Sequence, residues 1–591
     1  MPSVQKHETL VGMLEHAVAS YAQHPACGVH RNGQWDWLTY EELGVRVARC
    51  RSGLAALGVG RGDRVAIIAE NRVEWIIAAH ATYQRRAIFV PVAEAQSESD
   101  WRYVLADTGA RVCFAANAAI ASRVSALRED LLDLQYIVNL EAQEQDPTSF
   151  AHLLQLGAER EVKSRAPLPG DCATIIYTSG TTGEPKGVRL THGNLSANAY
   201  ARAEALDYGP EPRSVAFLPW AHVFGGHVEL NVMLLIGGAV AICSGIDELL
   251  AAMPVVKPTV LYAVPRVFRQ LYHDIQRNLA AEPEMSRHMF DDGLRLMQRQ
   301  RRGETLKLTE RIFLNMADKL VISKLKACFG GKLRLAISGA APLSLEIIEF
   351  FDNLGLTIYQ GYGLTESSGS TTINPEEAPR FGSVGKPVPG THIEIDRKAA
   401  PELSELGEGE IIIHGAGVMQ GYHNRPDETQ QVLTEDGGLR TGDLGYLDGD
   451  GYLYITGRIK ELYKLDNGRY VAPAPLEEKL KLSPFILHCM LYGAGQPYNV
   501  ALIVADIPAL RAYLAREDAS AEDLIADPRA RRLYEEEILK HSRDFRAFEL
   551  VRNFWLVSEP FTRENGMLSP ALKLLRRRVL QKYEARLKSL Y

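Results

Sequence analysis

Over the first third of the chain, amphipathic stretches alternate with short β-branched runs that end in small or polar residues. Residues 62–69, Gly62-Asp63-Arg64-Val65-Ala66-Ile67-Ile68-Ala69, read as a buried strand. A helix follows around Val73–Tyr83, and Ala87-Ile88-Phe89-Val90-Pro91-Val92 reads as the next strand. Strands alternating with helices predict parallel sheets covered by helices, so the expected fold class is α/β. Between Glu282 and Ala327 the chain turns long, charged and helix-prone, with Arg295, Arg299, Arg301, Arg302 and few breakers, which predicts an added helical subdomain. From Glu394 onward the texture changes to short alternating strands with Gly-rich turns. Glu410-Ile411-Ile412-Ile413-His414 and Gly451-Tyr452-Leu453-Tyr454-Ile455-Thr456 are examples, and they predict an antiparallel β unit. Gly457-Arg458-Ile459-Lys460 follows a clear strand and precedes a new block that holds a strand at 490–492 and helices. The expected organisation is a large N-terminal domain over 1–456, a linker at 457–460 and a small C-terminal α+β domain over 461–591. No period of roughly 20 to 50 residues is visible, which argues against a solenoid.

Composition narrows this further. A chain of 591 residues exceeds what one hydrophobic core can serve, and 46% hydrophobic with 24% charged residues is ordinary for a globular protein. Sixty-six basic against 73 acidic side chains leave a net charge of −7, so nucleic acid is disfavoured as a partner. Seven cysteines stand singly, with no CxxC pair or Cys/His cluster, as expected of reduced buried thiols. The first residues lack the apolar stretch of a secretory signal, and the most apolar run, 228–242, contains Glu229 and Asn231 and is too short to span a bilayer. The expected location is cytoplasmic, with peripheral contact at a membrane as a further option.

The most informative segment is Tyr177-Thr178-Ser179-Gly180-Thr181-Thr182-Gly183-Glu184-Pro185-Lys186-Gly187-Val188, placed directly after the apolar strand Ala173-Thr174-Ile175-Ile176. Gly180, Gly183 and Gly187 let backbone close around an anion, the hydroxyls of Thr178, Ser179, Thr181 and Thr182 supply donors, and Lys186 adds a charge. Polyphosphate binding follows from that chemistry. A Walker A loop does not, because Lys186 is followed by Gly187 and not by Ser or Thr.

The whole string resembles the signature loop of adenylate-forming enzymes: acyl-CoA synthetases, luciferases and the adenylation domains of peptide synthetases. Further motifs of that superfamily occur in order: Tyr362-Gly363-Leu364-Thr365-Glu366, Thr441-Gly442-Asp443-Leu444-Gly445, Gly457-Arg458-Ile459-Lys460-Glu461 and a late Lys573. The resemblance implies an acyl-adenylate formed from a carboxylate and ATP with Mg2+, then transfer to CoA. It implies that Tyr362 stacks on adenine, Thr365 reaches the α-phosphate, and Glu366 is the magnesium ligand. Asp443 and Arg458 take the ribose, and Lys460 marks the hinge on which a mobile C-terminal domain rotates, where many relatives have Asp. Gly339, Ala340 and Ala341, in Ile337-Ser338-Gly339-Ala340-Ala341-Pro342-Leu343, line the adenine and carboxylate pockets by the same resemblance, and Gly361, Gly363 and Gly468 join the nucleotide-binding positions. Residues 564–573 look like the long-chain form of the catalytic-lysine motif, with Lys573 as the catalytic lysine and Lys582 and Lys588 as solvated alternatives. Leu218-Pro219-Trp220-Ala221-His222-Val223-Phe224-Gly225-Gly226-His227 resembles the mouth of the acyl pocket, with His222 as its gate. Together with the helical insert, these features favour a medium- or long-chain fatty acid:CoA ligase. An acyl carrier protein as acceptor, another carboxylate-adenylating ligase that works without CoA, and a non-catalytic acyl-nucleotide sensor are the alternatives. From Lys573 to the end, seven basic residues against Glu584 give a local +6, suited to CoA phosphates, to an anionic membrane or to a solvated helix face.

Overall fold

A computed structural model describes residues 6–178, 184–301, 303–399, 407–562, 565–568 and 574–591. Its largest sheet has seven strands in the order Gly421–Tyr422, Lys186–Thr191, Cys172–Thr178, Ile88–Val92, Arg64–Ile68, Val112–Ala115 and Tyr136–Asn139. The five strands from Cys172–Thr178 onward are parallel, whereas Lys186–Thr191 folds back antiparallel on Cys172–Thr178. The reading of 62–69 as a strand is trimmed to Arg64–Ile68, because Gly62 has φ +80° and turns the chain into it. Val73–Tyr83 is a helix over the span its pattern predicts. Helices on this sheet begin at defined caps: Thr39 with Glu42, and Ser97 with Asp100, each form a reciprocal capping box.

A second sheet sets Val260–Ala263, Leu335–Ser338 and Ile358–Leu364 in parallel, then adds Gly369–Ile373 and Lys386–Pro387 antiparallel. A third holds Gln34–Thr39, Pro25–Arg31, Ala239–Ile242 and Arg213–Ala216. The predicted antiparallel unit is a four-stranded sheet of Thr391–Asp396, Gly409–Gly415, Leu439–Leu447 and Leu453–Arg458. Ile411, Ile413, Leu439 and Leu453 carry its buried face into the core of the first sheet. The predicted helical insert falls between the second-sheet strands Val260–Ala263 and Leu335–Ser338 and comprises the helices Glu284–Arg301 and Leu308–Ala317, a π turn at Asp318–Ile322 and the helix Ser323–Cys328; Arg302 lies outside the described residues.

After Arg458 a 3-10 turn, Ile459–Glu461, leads into a unit with its own core. Its strands Ile486–Tyr492, Asn499–Ala505 and Val551–Val557 form one sheet, and the central strand shows why both faces are covered. Ala501 and Ile503 pack with Leu476, Leu480 and Tyr534, while Val500, Leu502 and Val504 pack with Phe561, Val579 and Leu587. Alternating side chains thus feed two apolar clusters. Leu482 of this unit joins the core beneath the second sheet, and Arg269 Nη2 donates to Glu478 Oε2 at 2.9 Å. The architecture is the α/β fold that the pattern predicts, with a large N-terminal and a small C-terminal part. Among the described residues no helix is long and apolar enough to cross a membrane. The apolar run 228–242 is broken into a π-helix, Phe224–Leu230, a short helix, Asn231–Leu235, and the strand Ala239–Ile242.

Candidate active site

Ligand sites in open α/β sheets gather at the carboxyl ends of parallel strands. Here Leu335–Ser338 and Ile358–Leu364 are register neighbours, Ser338 opposite Gln360, and their ends deliver Gly339, Ala340 and Ala341 beside Gly361 and Tyr362. Ala340 sits at φ +70°, a left-handed conformation that alanine adopts at a cost, which fixes the turn sharply. A Cβ on Gly339 would come within 3.2 Å of the Phe224 ring, so the backbone lies directly against the aromatic run after His222.

From this end Tyr362 donates its hydroxyl to Asp443 Oδ2 at 2.7 Å, and Arg458 Nε donates to Asp443 Oδ1 at 2.5 Å. Asp443 and Arg458 are cross-strand partners, so the antiparallel sheet itself brings them together. Asp443 is 4% exposed. Its turn is rigid: Gly442 takes φ +69° and donates to Glu410 Oε1 at 3.1 Å, and the Asp443 amide donates to Thr441 Oγ1 at 3.0 Å. Burial and the adjacent carboxylate hold the Tyr362 phenol well above its ordinary pKa, so it remains a donor. Each Asp443 oxygen keeps a second lone pair, which allows a sugar hydroxyl to bind without displacing either protein donor.

A second cluster builds on the 3-10 turn Thr365–Ser367. Ser367 Oγ closes it, accepting from the Leu364 amide at 2.9 Å and donating to the Leu364 carbonyl at 3.1 Å. Glu366 Oε1 accepts from the Tyr422 hydroxyl at 2.9 Å, and the Glu366 carbonyl accepts from the Met419 amide at 2.9 Å. Tyr422 comes from the edge strand that pairs with Val188 and Arg189, just beyond the phosphate loop. Lys186 forms an ion pair with Glu428, and its Nζ stands 5.1 Å from the centre of the Tyr422 ring. Both ends of the loop are held. Tyr177 donates to Asp107 Oδ2 at 2.5 Å, Thr178 pairs with Lys186, and Arg425 Nη2 donates to Glu184 Oε2 at 2.6 Å. Ser179, Gly180, Thr181, Thr182 and Gly183 lie outside the described residues, as does Lys573.

Glu366 offers a hard carboxylate oxygen, tied through Tyr422 to the strand that begins at Lys186, and such an oxygen suits Mg2+. Among the described residues there is no group of three or more His, Cys, Asp or Glu side chains that could hold a metal ion. A divalent ion at Glu366 would need further ligands from outside the described side chains, and phosphate oxygens and water are the ligands magnesium commonly keeps.

The remaining positions are placed separately. Gly363 is needed for strand pairing, since a Cβ there would meet the Gly369 carbonyl oxygen at 1.7 Å, and a Cβ on Gly361 would meet Ile373 at 2.9 Å. His222 is half-buried; its amide donates to the Pro219 carbonyl at 3.0 Å and its carbonyl accepts from Gly226 at 2.9 Å. Asn71 clamps the preceding residues, donating to the Leu218 carbonyl and accepting from the Trp220 amide, each at 2.8 Å. Lys460 is exposed in the 3-10 turn after Arg458. Gly468 (φ +85°) is exposed in the hairpin between Tyr463–Lys464 and Tyr470–Val471. Of the C-terminal basic residues, Arg576 pairs with Glu477, Lys582 with Glu559 and Lys588 with Glu584. The segment is thus partly neutralised, leaving Arg577 and Arg578 exposed. Asn71, Tyr422, Arg425 and Glu428 were not among the residues the sequence motifs single out.

A model of the AMP-binding enzyme family matches residues 14–423. The chain is 34% identical over 579 residues to long-chain-fatty-acid–CoA ligase FadD15 of Mycobacterium tuberculosis, covering 95% of this chain and 93% of that one. It is 30% identical over 599 residues to the peroxisomal long chain acyl-CoA synthetase 7 of Arabidopsis thaliana, covering 96% and 84%. Among solved structures, the adenylation domain of a carboxylate reductase from Mycobacterium chelonae superposes with a TM-score of 0.80 at 23% identity, over 100% of this chain and 92% of that one. ATP-bound MatB from Rhodopseudomonas palustris gives a TM-score of 0.72 at 22% identity, over 98% and 99%.

Proposed function

The chain belongs to the AMP-binding enzyme family, and on that footing we propose that it joins a medium- or long-chain fatty acid to coenzyme A in two steps. A carboxylate oxygen of the acid attacks the α-phosphorus of ATP and pyrophosphate leaves. The CoA thiol then attacks the carbonyl carbon of the acyl-adenylate, and AMP leaves. Both steps bring anions together, so catalysis is chiefly positioning and charge compensation.

The observation that carries this reading is the buried carboxylate of Asp443, held between Tyr362 and Arg458 at the carboxyl end of a parallel strand. In that place Asp443 receives the ribose hydroxyls and the Tyr362 ring takes the adenine. Thr365, Lys186 and the hydroxyls of the 178–183 loop take the phosphates. Magnesium, held by Glu366 with Tyr422 behind it, would supply positive charge to the phosphate oxygens. His222 and Phe224 form the mouth of the acyl channel. We assign residues 1–456 to the nucleotide- and acyl-binding domain, 457–460 to a hinge containing Lys460, and 461–591 to a rotating domain that delivers Lys573. The acyl class is supported by the long-chain names of relatives at 30 to 34% identity.

The test is a series of acids of increasing chain length, followed by pyrophosphate release, with CoA or an acyl carrier protein then added and thioester measured. Release should rise into the medium- or long-chain range, since each buried methylene contributes about 0.8 kcal/mol, and CoA should be the productive acceptor. A preference for acetate or an amino acid would refute the acyl class. Thioester formed only on the carrier would replace CoA as acceptor.

A further inference from the structure

Lys186 supplies the only full positive charge of the phosphate-loop string, and in the structure that charge is already engaged. Its side chain is 18% exposed and its partner, Glu428, 29% exposed. Glu428 is not a drifting surface group. It lies in the first turn of Pro426–Val432, whose Thr429 Oγ1 accepts from the Tyr422 amide at 2.9 Å and donates to the Arg425 carbonyl at 2.8 Å. The same segment is tied to the loop's exit strand: Tyr422 pairs with Val188, and the His423 amide donates to the Gly187 carbonyl at 2.7 Å. The other Glu428 oxygen stands 4.0 Å from Arg425 Nε, but Arg425 is itself engaged with Glu184 and with the Tyr103 hydroxyl. A fixed negative charge therefore sits against the cation that a polyphosphate must recruit.

Two anions competing for one half-buried ammonium cannot both hold it at full strength. We propose that Glu428 is a positioning residue that acts through Lys186 as a competing counter-ion. It lowers the affinity of the loop for polyphosphate and takes Lys186 back as pyrophosphate leaves. The proposal rests on Lys186 being a phosphate contact. It also predicts selectivity among nucleotides, because AMP carries no β- or γ-phosphate to exchange for Glu428.

The test is equilibrium binding of MgATP, magnesium pyrophosphate and AMP to the full chain without fatty acid, so that no turnover intervenes. Glu428→Gln should bind MgATP and pyrophosphate about 3- to 10-fold more tightly, the range for releasing a half-buried ion pair, with AMP affinity unchanged. Glu428→Asp, which keeps the charge but draws it back by one methylene, should fall between Gln and the unaltered chain and serves if the Gln variant does not fold. In a Lys186→Ala background the gain from Glu428→Gln should shrink below about twofold. An equal gain without the lysine would mean direct repulsion of phosphate and would overturn the proposal. So would a gain for AMP as large as for ATP, since that is a general structural effect. If Lys186→Ala alone leaves MgATP affinity unchanged, the phosphate reading of Lys186 fails and the proposal with it. If Lys186→Ala weakens binding but Glu428→Gln changes nothing, only the counter-ion role fails.

Discussion

Asp443→Asn is the sharpest perturbation of the nucleotide clamp, because it removes charge while keeping shape. In the structure Oδ1 accepts from Arg458 and Oδ2 from Tyr362. The asparagine can still accept from Arg458 through its carbonyl oxygen, and its amide can donate to a rotated Tyr362 hydroxyl, so both local bonds survive in neutral form. The Arg458 side chain is 41% exposed, so its lost counter-charge is partly made good by water and the fold should tolerate the change. The nucleotide fares differently. An ionised acceptor contributes about 1.5 to 3 kcal/mol to a hydrogen bond, against about 1 for a neutral one, and the amide nitrogen cannot accept from a ribose hydroxyl at all. ATP affinity should therefore fall roughly 10- to 150-fold, at 1.4 kcal/mol per decade, with the thermal midpoint lowered by only a few degrees. Equilibrium ATP binding and thermal unfolding on the same preparation separate the two effects. A variant that binds ATP within about twofold of the unaltered chain would refute the ribose assignment. One that unfolds in parallel with its loss of affinity would show that Asp443 serves the fold instead.

Glu229 is fully buried in the π-helix, and burial pushes its carboxyl up to about 8, with the Ser214 hydroxyl opposing. Between an unfolded value near 4.5 and that raised value the folded chain holds a proton that the unfolded chain has released. Stability should therefore fall with rising pH across this window by about 1.4 kcal/mol per unit from this group, and Glu229→Gln should remove that slope in unfolding experiments run from pH 5 to 8. Tyr422→Phe removes the hydrogen bond that orients Glu366, so half-maximal pyrophosphate release should need about 5- to 10-fold more magnesium; an unchanged requirement would detach Tyr422 from the metal function. Lys573→Ala should slow adenylation by roughly 10² to 10³ while sparing thioester formation from supplied acyl-adenylate, and equal loss of both steps would end the domain-alternation reading.

How far the sequence could be read depended on whether the signal was local. Parallel strands buried on both faces appear as short continuous apolar runs, which is why residues 64–68 and 88–92 could be located, and Val73–Tyr83 carried its own helical period. Tyr362 and Asp443 were found because each lies in a contiguous motif. Their union was not legible, because it depends on the antiparallel sheet swinging Arg458 opposite Asp443 and both under a strand of another sheet.

The residues that escaped sequence reading show the same cause more strongly. Tyr422 stands 56 positions from Glu366, and Arg425 stands 241 from Glu184. Their strand, Gly421–Tyr422, is two residues long, too short to express an alternation of any period. Only the order of the seven-stranded sheet, in which that strand takes the edge beside Lys186–Thr191, makes the contacts follow. Lys186 reads in the sequence as a charge free to meet phosphate. The fold sets Glu428 beside it and Tyr422 beneath it, so its availability depends on an exchange between partners, which no one-dimensional pattern encodes.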